Sequence, residues 1–206
     1  MNSVKIMHKK IYLFLILIII ILIGINFLQD KKISGANVGD ISEKIIIPVK
    51  AHIIVDSSGV YTSSRNEENI ISLLEKANLI WNQANIYFQL EEIVVTNVDF
   101  GAISNAINGN NFEISTNKNF ADDKVNLFLA QNLNNINGLA LGNINSVFVS
   151  DYTTVNDFRT TAHELGHILG LNHVIPQNRL LARGKNGEIL LSEEIFIARR
   201  NAVNLF

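Results

Sequence analysis

The 206-residue chain contains no cysteine. That absence excludes a disulfide scaffold, thiol catalysis, an iron–sulfur cluster and any Cys-ligated zinc. Proline is scarce, at 2 residues, and 12 glycines give no repeat, so collagen-like and low-complexity readings fall away. Charged residues make up 17% against 48% hydrophobic, which excludes a disordered chain. No Asn-x-Ser/Thr sequon occurs despite the many asparagines. A net charge of −2 argues against nucleic acid as the main partner. The length favours one domain with a short appendage, and no internal repeat is visible.

Charge is unevenly spread. Residues 1–32 carry five lysines and one acid, a net +4; residues 33–206 carry twelve bases and eighteen acids, a net −6. Within the basic part lies an apolar run of 18 residues, Ile11 to Leu28, broken only by Gly24 and Asn26. At about 1.5 Å per residue it reaches roughly 27 Å, close to the ~30 Å hydrocarbon core of a bilayer. Its Ile/Leu surface runs all round, unlike the striped surface of a core helix. The reading is a basic leader (1–10), a transmembrane signal-anchor (11–28) and a polar tether (29–44). Ser34-Gly35-Ala36 keeps open a cleaved signal peptide and a secreted product, but the run exceeds a usual signal-peptide core. Three lysines and the amino terminus precede the run and two lysines follow it. This places the N-terminus in the cytoplasm and the body outside, as a single-pass membrane protein.

The body, 45–206, alternates strand-like and helix-like segments, an α+β or α/β pattern. Ile45–Val55 reads as a strand, with Pro48 near its start. Ser64 and Glu67 suggest a capping box, and Ile70, Leu74, Ala77 and Trp81 recur at helical spacing, giving a helix over about 65–84. Strands follow at 86–96, 124–130 and 144–150, with a short extended piece at 139–141. Residues 97–122, rich in Asn and Gly, read as a long loop with one helical turn near 102–107. A helix is expected over 157–170 and another from Ser192 to the C-terminal end. His52, on the first strand, reads as a core or edge residue.

The informative stretch is His163-Glu164-Leu165-Gly166-His167-Ile168-Leu169-Gly170-Leu171-Asn172-His173. On a helix, His163 and His167 lie one turn apart and face the same way, so their imidazoles can grip one metal ion. Glu164 lies about 100° round from His163, close enough to take a proton from a water at the metal. Gly170 can adopt positive φ, end the helix and swing the chain back so that His173 becomes a third ligand. Three nitrogen ligands leave a coordination position for water, the mark of catalytic rather than structural zinc. Phe158, Ala162, Leu165 and Leu169 form an apolar stripe roughly opposite the histidines. One side of the helix can pack into a core while the other looks into a cleft.

This HExxHxxGxxH pattern resembles the long zinc motif of the metzincin metalloendopeptidases. The resemblance implies a twisted mixed sheet above an active-site helix, and a small C-terminal subdomain after the glycine turn. It also implies an antiparallel edge strand bordering the cleft, and Gly138-Leu139-Ala140-Leu141-Gly142 lies where that strand should be. An extended substrate would pair with it. Two departures stand out. The family's turn below the zinc carries a methionine, and no Met follows Met7. Asn178-Arg179-Leu180-Leu181-Ala182 resembles that turn with Leu181 in the Met position, a swap that usually costs less than about 1.5 kcal/mol. Val174 follows the third His where several subfamilies have Asp, and no Tyr follows Tyr152. A small matrixin-like or reprolysin-like enzyme is the nearest description.

The implied function is a membrane-anchored, extracytoplasmic, zinc-dependent endopeptidase acting on protein or peptide substrates. It would use one Zn²⁺ on His163, His167 and His173, with Glu164 as general base. With no cysteine, a cysteine-switch propeptide is excluded, and the 16 residues of the tether lead to the expectation of no large prodomain. The alternative is a non-catalytic, zinc-binding, metzincin-like adhesion or binding module, against which the intact Glu164 argues. Asp122, Asp123 and Asp151 are candidate Ca²⁺ ligands in loops.

Overall fold

The computed structural model describes residues 43–206. The segments read from the sequence as a basic leader (1–10) and a transmembrane signal-anchor (11–28), with nearly all of the expected tether (29–44), lie outside the described residues. Among those described, no helix is long and apolar enough to cross a membrane.

Five strands form one sheet: β1 (Ile45–Asp56), β2 (Ile86–Val98), β3 (Val125–Ala130), β4 (Gly138–Leu141) and β5 (Ser146–Ser150). Their order is β2-β1-β3-β5-β4. The pairs β1/β2, β1/β3 and β3/β5 are parallel, and β4 runs antiparallel to β5 at the edge. The expected mixed sheet with an antiparallel border is therefore present. Both β3 (VNLFLA) and β5 (SVFVS) are buried along their whole length, as inner strands covered on both faces must be.

Helix α1 (Glu67–Trp81) makes the crossover from β1 to β2, and α4 (Asp157–Ile168) follows β5. Both pack on one face of the sheet, where Ile47, Val49, Leu127 and Val147 meet Leu74, Trp81, Ala162 and Leu165. The opposite face is covered by two short helices, α2 (Phe100–Ile107) and α3 (Phe112–Ser115). Ala102, Ile103 and Ile114 pack there against Ile54, Phe128 and Phe148. The 97–122 segment is thus more ordered than a loop with one turn. A second core needs only a few apolar residues from each short helix, too few to show a period. The C-terminal helix α5 (Ser192–Ala202) begins at Ser192 as expected.

The capping box of α1 is displaced from the expected Ser64/Glu67. Asn66 Oδ1 accepts from the Asn69 N–H at 2.9 Å, and Asn69 Oδ1 accepts from the Asn66 N–H at 3.2 Å. Ser64 is otherwise engaged, its N–H donating to Asp151 Oδ2 at 2.7 Å. The helix also closes earlier than expected, passing at Asn82–Ala84 into a 3₁₀ turn that Asn85 ends with φ of 51°. Likewise β5 starts at Ser146 rather than residue 144, because Gly142–Ile144 form a 3₁₀ turn and Asn145 sits at φ 46°.

Candidate metal centre

Helix α4 presents the apolar stripe to the core: Ala162, Leu165 and Leu169 are fully buried and Phe158 partly so. Its C-terminus is set by hydrogen bonds that only a left-handed residue permits. Gly170, at φ 78°, donates its N–H to the His167 carbonyl at 3.0 Å, and Leu171 donates to the Gly166 carbonyl at 2.9 Å. This is a Schellman closure, and it turns the chain so that His173 comes back beneath the helix. The Leu169 carbonyl, left over at the helix end, accepts from Asn201 Nδ2 of α5 at 2.9 Å.

The three expected histidines converge. Their Nε2 atoms stand 3.2 Å (His163–His167), 3.2 Å (His163–His173) and 3.1 Å (His167–His173) apart. Ligands about 2.0–2.1 Å from a tetrahedral zinc stand about 3.3–3.4 Å from one another, close to this triangle. The tautomers agree. His163 Nδ1 lies 2.7 Å from the Leu180 carbonyl, and His167 Nδ1 lies 2.7 Å from the Leu171 carbonyl. A carbonyl only accepts, so each Nδ1 carries the proton and each facing Nε2 presents a lone pair. Two lone pairs 3.2 Å apart repel unless a cation lies between them. Burial holds His163 at a pKa of about 3 and lowers His167 and His173 as well, which keeps the imidazoles neutral and ligating. The donor set fits a zinc ion.

Glu164 is buried beneath the edge strand. Burial pushes its carboxyl up to about 7, while the charge of Arg159 and the N–H of Ala140 pull the other way. A β-carbon on Gly138 would come within 2.8 Å of Glu164 Cγ and 2.9 Å of Thr160 Cγ2. Glycine at 138 is what lets β4 lie this close to the carboxylate.

Comparison with known proteins agrees with this geometry. A reprolysin-type model of Metallo-peptidase family M12 matches residues 49–179, from β1 through the three histidines. The chain belongs to Metallo-peptidase family M12. Among curated proteins no sequence match is found. Among solved structures, a chain in a chaperone–substrate complex is similar at 16% identity and a TM-score of 0.54, over 79% of this chain and 34% of that one. Metalloproteinase-II from Bacteroides fragilis is similar at 15% identity and TM-score 0.47, over 78% and 55% of the two chains. Archaemetzincin from Methanopyrus kandleri is similar at 14% identity and TM-score 0.46, over 79% and 93%. The chain thus spans about a third of the length of the first and just over half of the second.

In this M12 chain the turn below the triad is built as the motif suggested, with Leu181 fully buried where a methionine was expected. Its methyl groups lie 3.3–3.4 Å from where a β-carbon on Gly166 would be, so the glycine inside the motif makes room for the turn. Two contributors to the site were not singled out for it by the sequence. Trp81 of α1 donates its indole N–H to the Ala162 carbonyl at 3.2 Å, fixing helix α4 from behind. Arg159, one turn ahead of His163, is fully buried and donates to the carbonyls of Leu180, Ala182 and Gly187. Helical spacing would have placed Arg159 on the histidine face, yet a single arginine in a helix usually points to solvent.

His52 is a core residue, as expected. It stacks on Phe128 and lies 2.9 Å from Thr96 Oγ1 and 3.0 Å from Asn126 Oδ1. Asp151, a candidate calcium ligand, accepts from Ser63 and Ser64 and pairs with Arg65 at 3.0 Å. Asp122 and Asp123 are exposed. Among the described residues the three histidines are the only group whose His, Asp or Glu donor atoms gather as a metal site would require.

Proposed function

We propose that this chain is a zinc-dependent endopeptidase, held at a membrane by residues 11–28, with its catalytic domain (45–206) facing away from the cytoplasm. His163, His167 and His173 are the metal ligands and Glu164 is the general base. The carrying observation is the triangle of Nε2 atoms 3.1–3.2 Å apart with two Nδ1 protons committed to carbonyls.

A zinc ion on these ligands supplies a Lewis acid that polarises the scissile carbonyl and acidifies a water. The rest is done by the chain. Glu164, with a pKa near 7, is poised to take the proton of the attacking water and hand it to the departing amine. The Ala140 N–H and the Arg159 charge orient and stabilise its ionised form. Among the described residues the outer side of β4 has no strand neighbour, so an extended peptide can pair there beside the carboxylate. The membrane assignment rests on the apolar run and its lysine flanks.

Two experiments test the reading. The full-length chain, loaded with zinc in mild detergent, should cleave members of a random peptide library and stop when a chelator is added. A zinc-loaded chain that cleaves none of them would point to a binding module. N-terminal sequencing of the protein from membranes should find residues 11–28 retained; a start near Asn37 would contradict the anchor and indicate secretion.

A further inference from the structure

We propose that Arg159 is a positioning residue for the metal centre, fixing His163 through the carbonyl of Leu180. The proposal rests on the reading that the three histidines hold zinc.

Arg159 is 2% exposed, and no carboxylate of the described residues pairs with it directly. A buried guanidinium without a direct ion pair is costly to maintain, and the charges of Glu164 and Glu188 favour it only from a distance. Its partners are three carbonyls from one segment. Nε donates to Gly187 at 3.2 Å, and Nη2 donates to both Leu180 and Ala182. Only a planar fork of fixed donors can collect carbonyls from both sides of such a loop.

The loop itself is tightly drawn. The Leu180 N–H donates to the Ile189 carbonyl at 3.0 Å, and the Ile189 N–H donates to the Asn178 carbonyl at 3.1 Å. A β-carbon on Gly187 would strike the backbone of Asn178, Gln177 and Arg179. Arg159 reaches into the mouth of this loop from α4. One acceptor is shared: the Leu180 carbonyl takes both the Arg159 Nη2 proton and the His163 Nδ1 proton, the latter at 2.7 Å. That carbonyl sets the tautomer and ring orientation of His163, and partners of this kind govern metal affinity. The Leu181 side chain fills the space below the helix but has no sulfur and no hydrogen-bonding group. The polar tie from Arg159 is what holds the carbonyl in register.

The test uses the full-length chain with Arg159→Met, a substitution of similar reach without the donors, and Arg159→Lys, which keeps the charge and loses the fork. Ile103→Ala, in the core on the far face of the sheet, serves as a destabilised control. Zinc affinity is measured by competition with a chromophoric chelator, and the visible spectrum of the cobalt-substituted protein reports ligand geometry. Both Arg159 variants should bind zinc about 10–100-fold more weakly than wild type and show an altered cobalt band, while Ile103→Ala binds as wild type does. Should Arg159→Met not fold, Arg159→Lys decides alone. A folded Arg159 variant with wild-type zinc affinity and an unchanged cobalt spectrum would overturn the proposal. Failure of the wild-type chain to take up zinc would instead overturn the metal-site reading on which it rests.

Discussion

Gly170 shows how much one residue can carry. Its φ of 78° is a conformation that L side chains rarely adopt, and Asn201 Nδ2 occupies the place where its β-carbon would go. Gly170→Ala should therefore lower stability by more than the about 1 kcal/mol of left-handed strain alone. Zinc affinity should fall with it, because His173 follows that turn. Equal stability and affinity in the variant would contradict this account. His52 makes a different prediction. Asn126 Nδ2 donates to the Ala121 and Lys124 carbonyls, so its Oδ1 must accept from His52 Nε2–H, and Nδ1 is left to accept from Thr96. The neutral ring is fully satisfied, and burial lowers its pKa from 6.5 to about 4. Between those values the unfolded chain binds the proton and the folded one does not. The stabilisation is complete above about pH 6.5 and is lost as pH falls towards about 4, by an amount on the order of 3 kcal/mol. Denaturant unfolding at about pH 7 and about pH 4.5 should show a smaller pH effect in His52→Gln than in wild type. Identical effects would remove His52 as a cause.

At the scale of elements, β4 is short, only four residues, yet it borders the site. Gly138→Val should push β4 away from Glu164 and Thr160, whose carbons lie within 2.9 Å of the added β-carbon. Cleavage should fall sharply while zinc content stays at the wild-type level, because Gly138 touches none of the three histidines. Loss of zinc together with activity would show that β4 supports the ligands themselves. From the residues alone this strand read as a short extended piece at 139–141; its place as the antiparallel border came only through the resemblance, since GLAL has no period of its own. Helix α4 was legible outright, because the histidine spacing and the apolar stripe fall on opposite faces of the same 3.6-residue repeat. Of the two short helices on the far face, α2 was legible only as one turn near 102–107, and α3 was not legible at all. Ile103 and Ile114 each contribute a single fully buried side chain, and nothing local separates them from a polar loop. Nor was the Arg159 tie visible, because it depends on three carbonyls supplied more than twenty residues later.

Across the whole molecule, the metal centre joins parts distant in the chain. Helix α4, the turn at 178–182 and the C-terminal helix meet through His163, Arg159 and Asn201. Zinc that binds only the folded chain should stabilise all of it together. Free zinc at about 100 times its dissociation constant adds about 2.7 kcal/mol, which for a domain of this size raises Tm by about 5–10 °C. Chelation should reverse the shift, and a Tm indifferent to zinc would argue that the triad is not a metal site. The central claim, that three histidines hold zinc while Glu164 moves the proton, is tested most directly by zinc content and peptide cleavage measured side by side in Glu164→Gln. The amide is nearly isosteric and cannot shuttle a proton. The variant should retain one zinc per chain and the wild-type fold, and lose at least about 10²-fold in cleavage rate. A variant that keeps its zinc, folds normally and still cleaves at close to the wild-type rate would contradict the account.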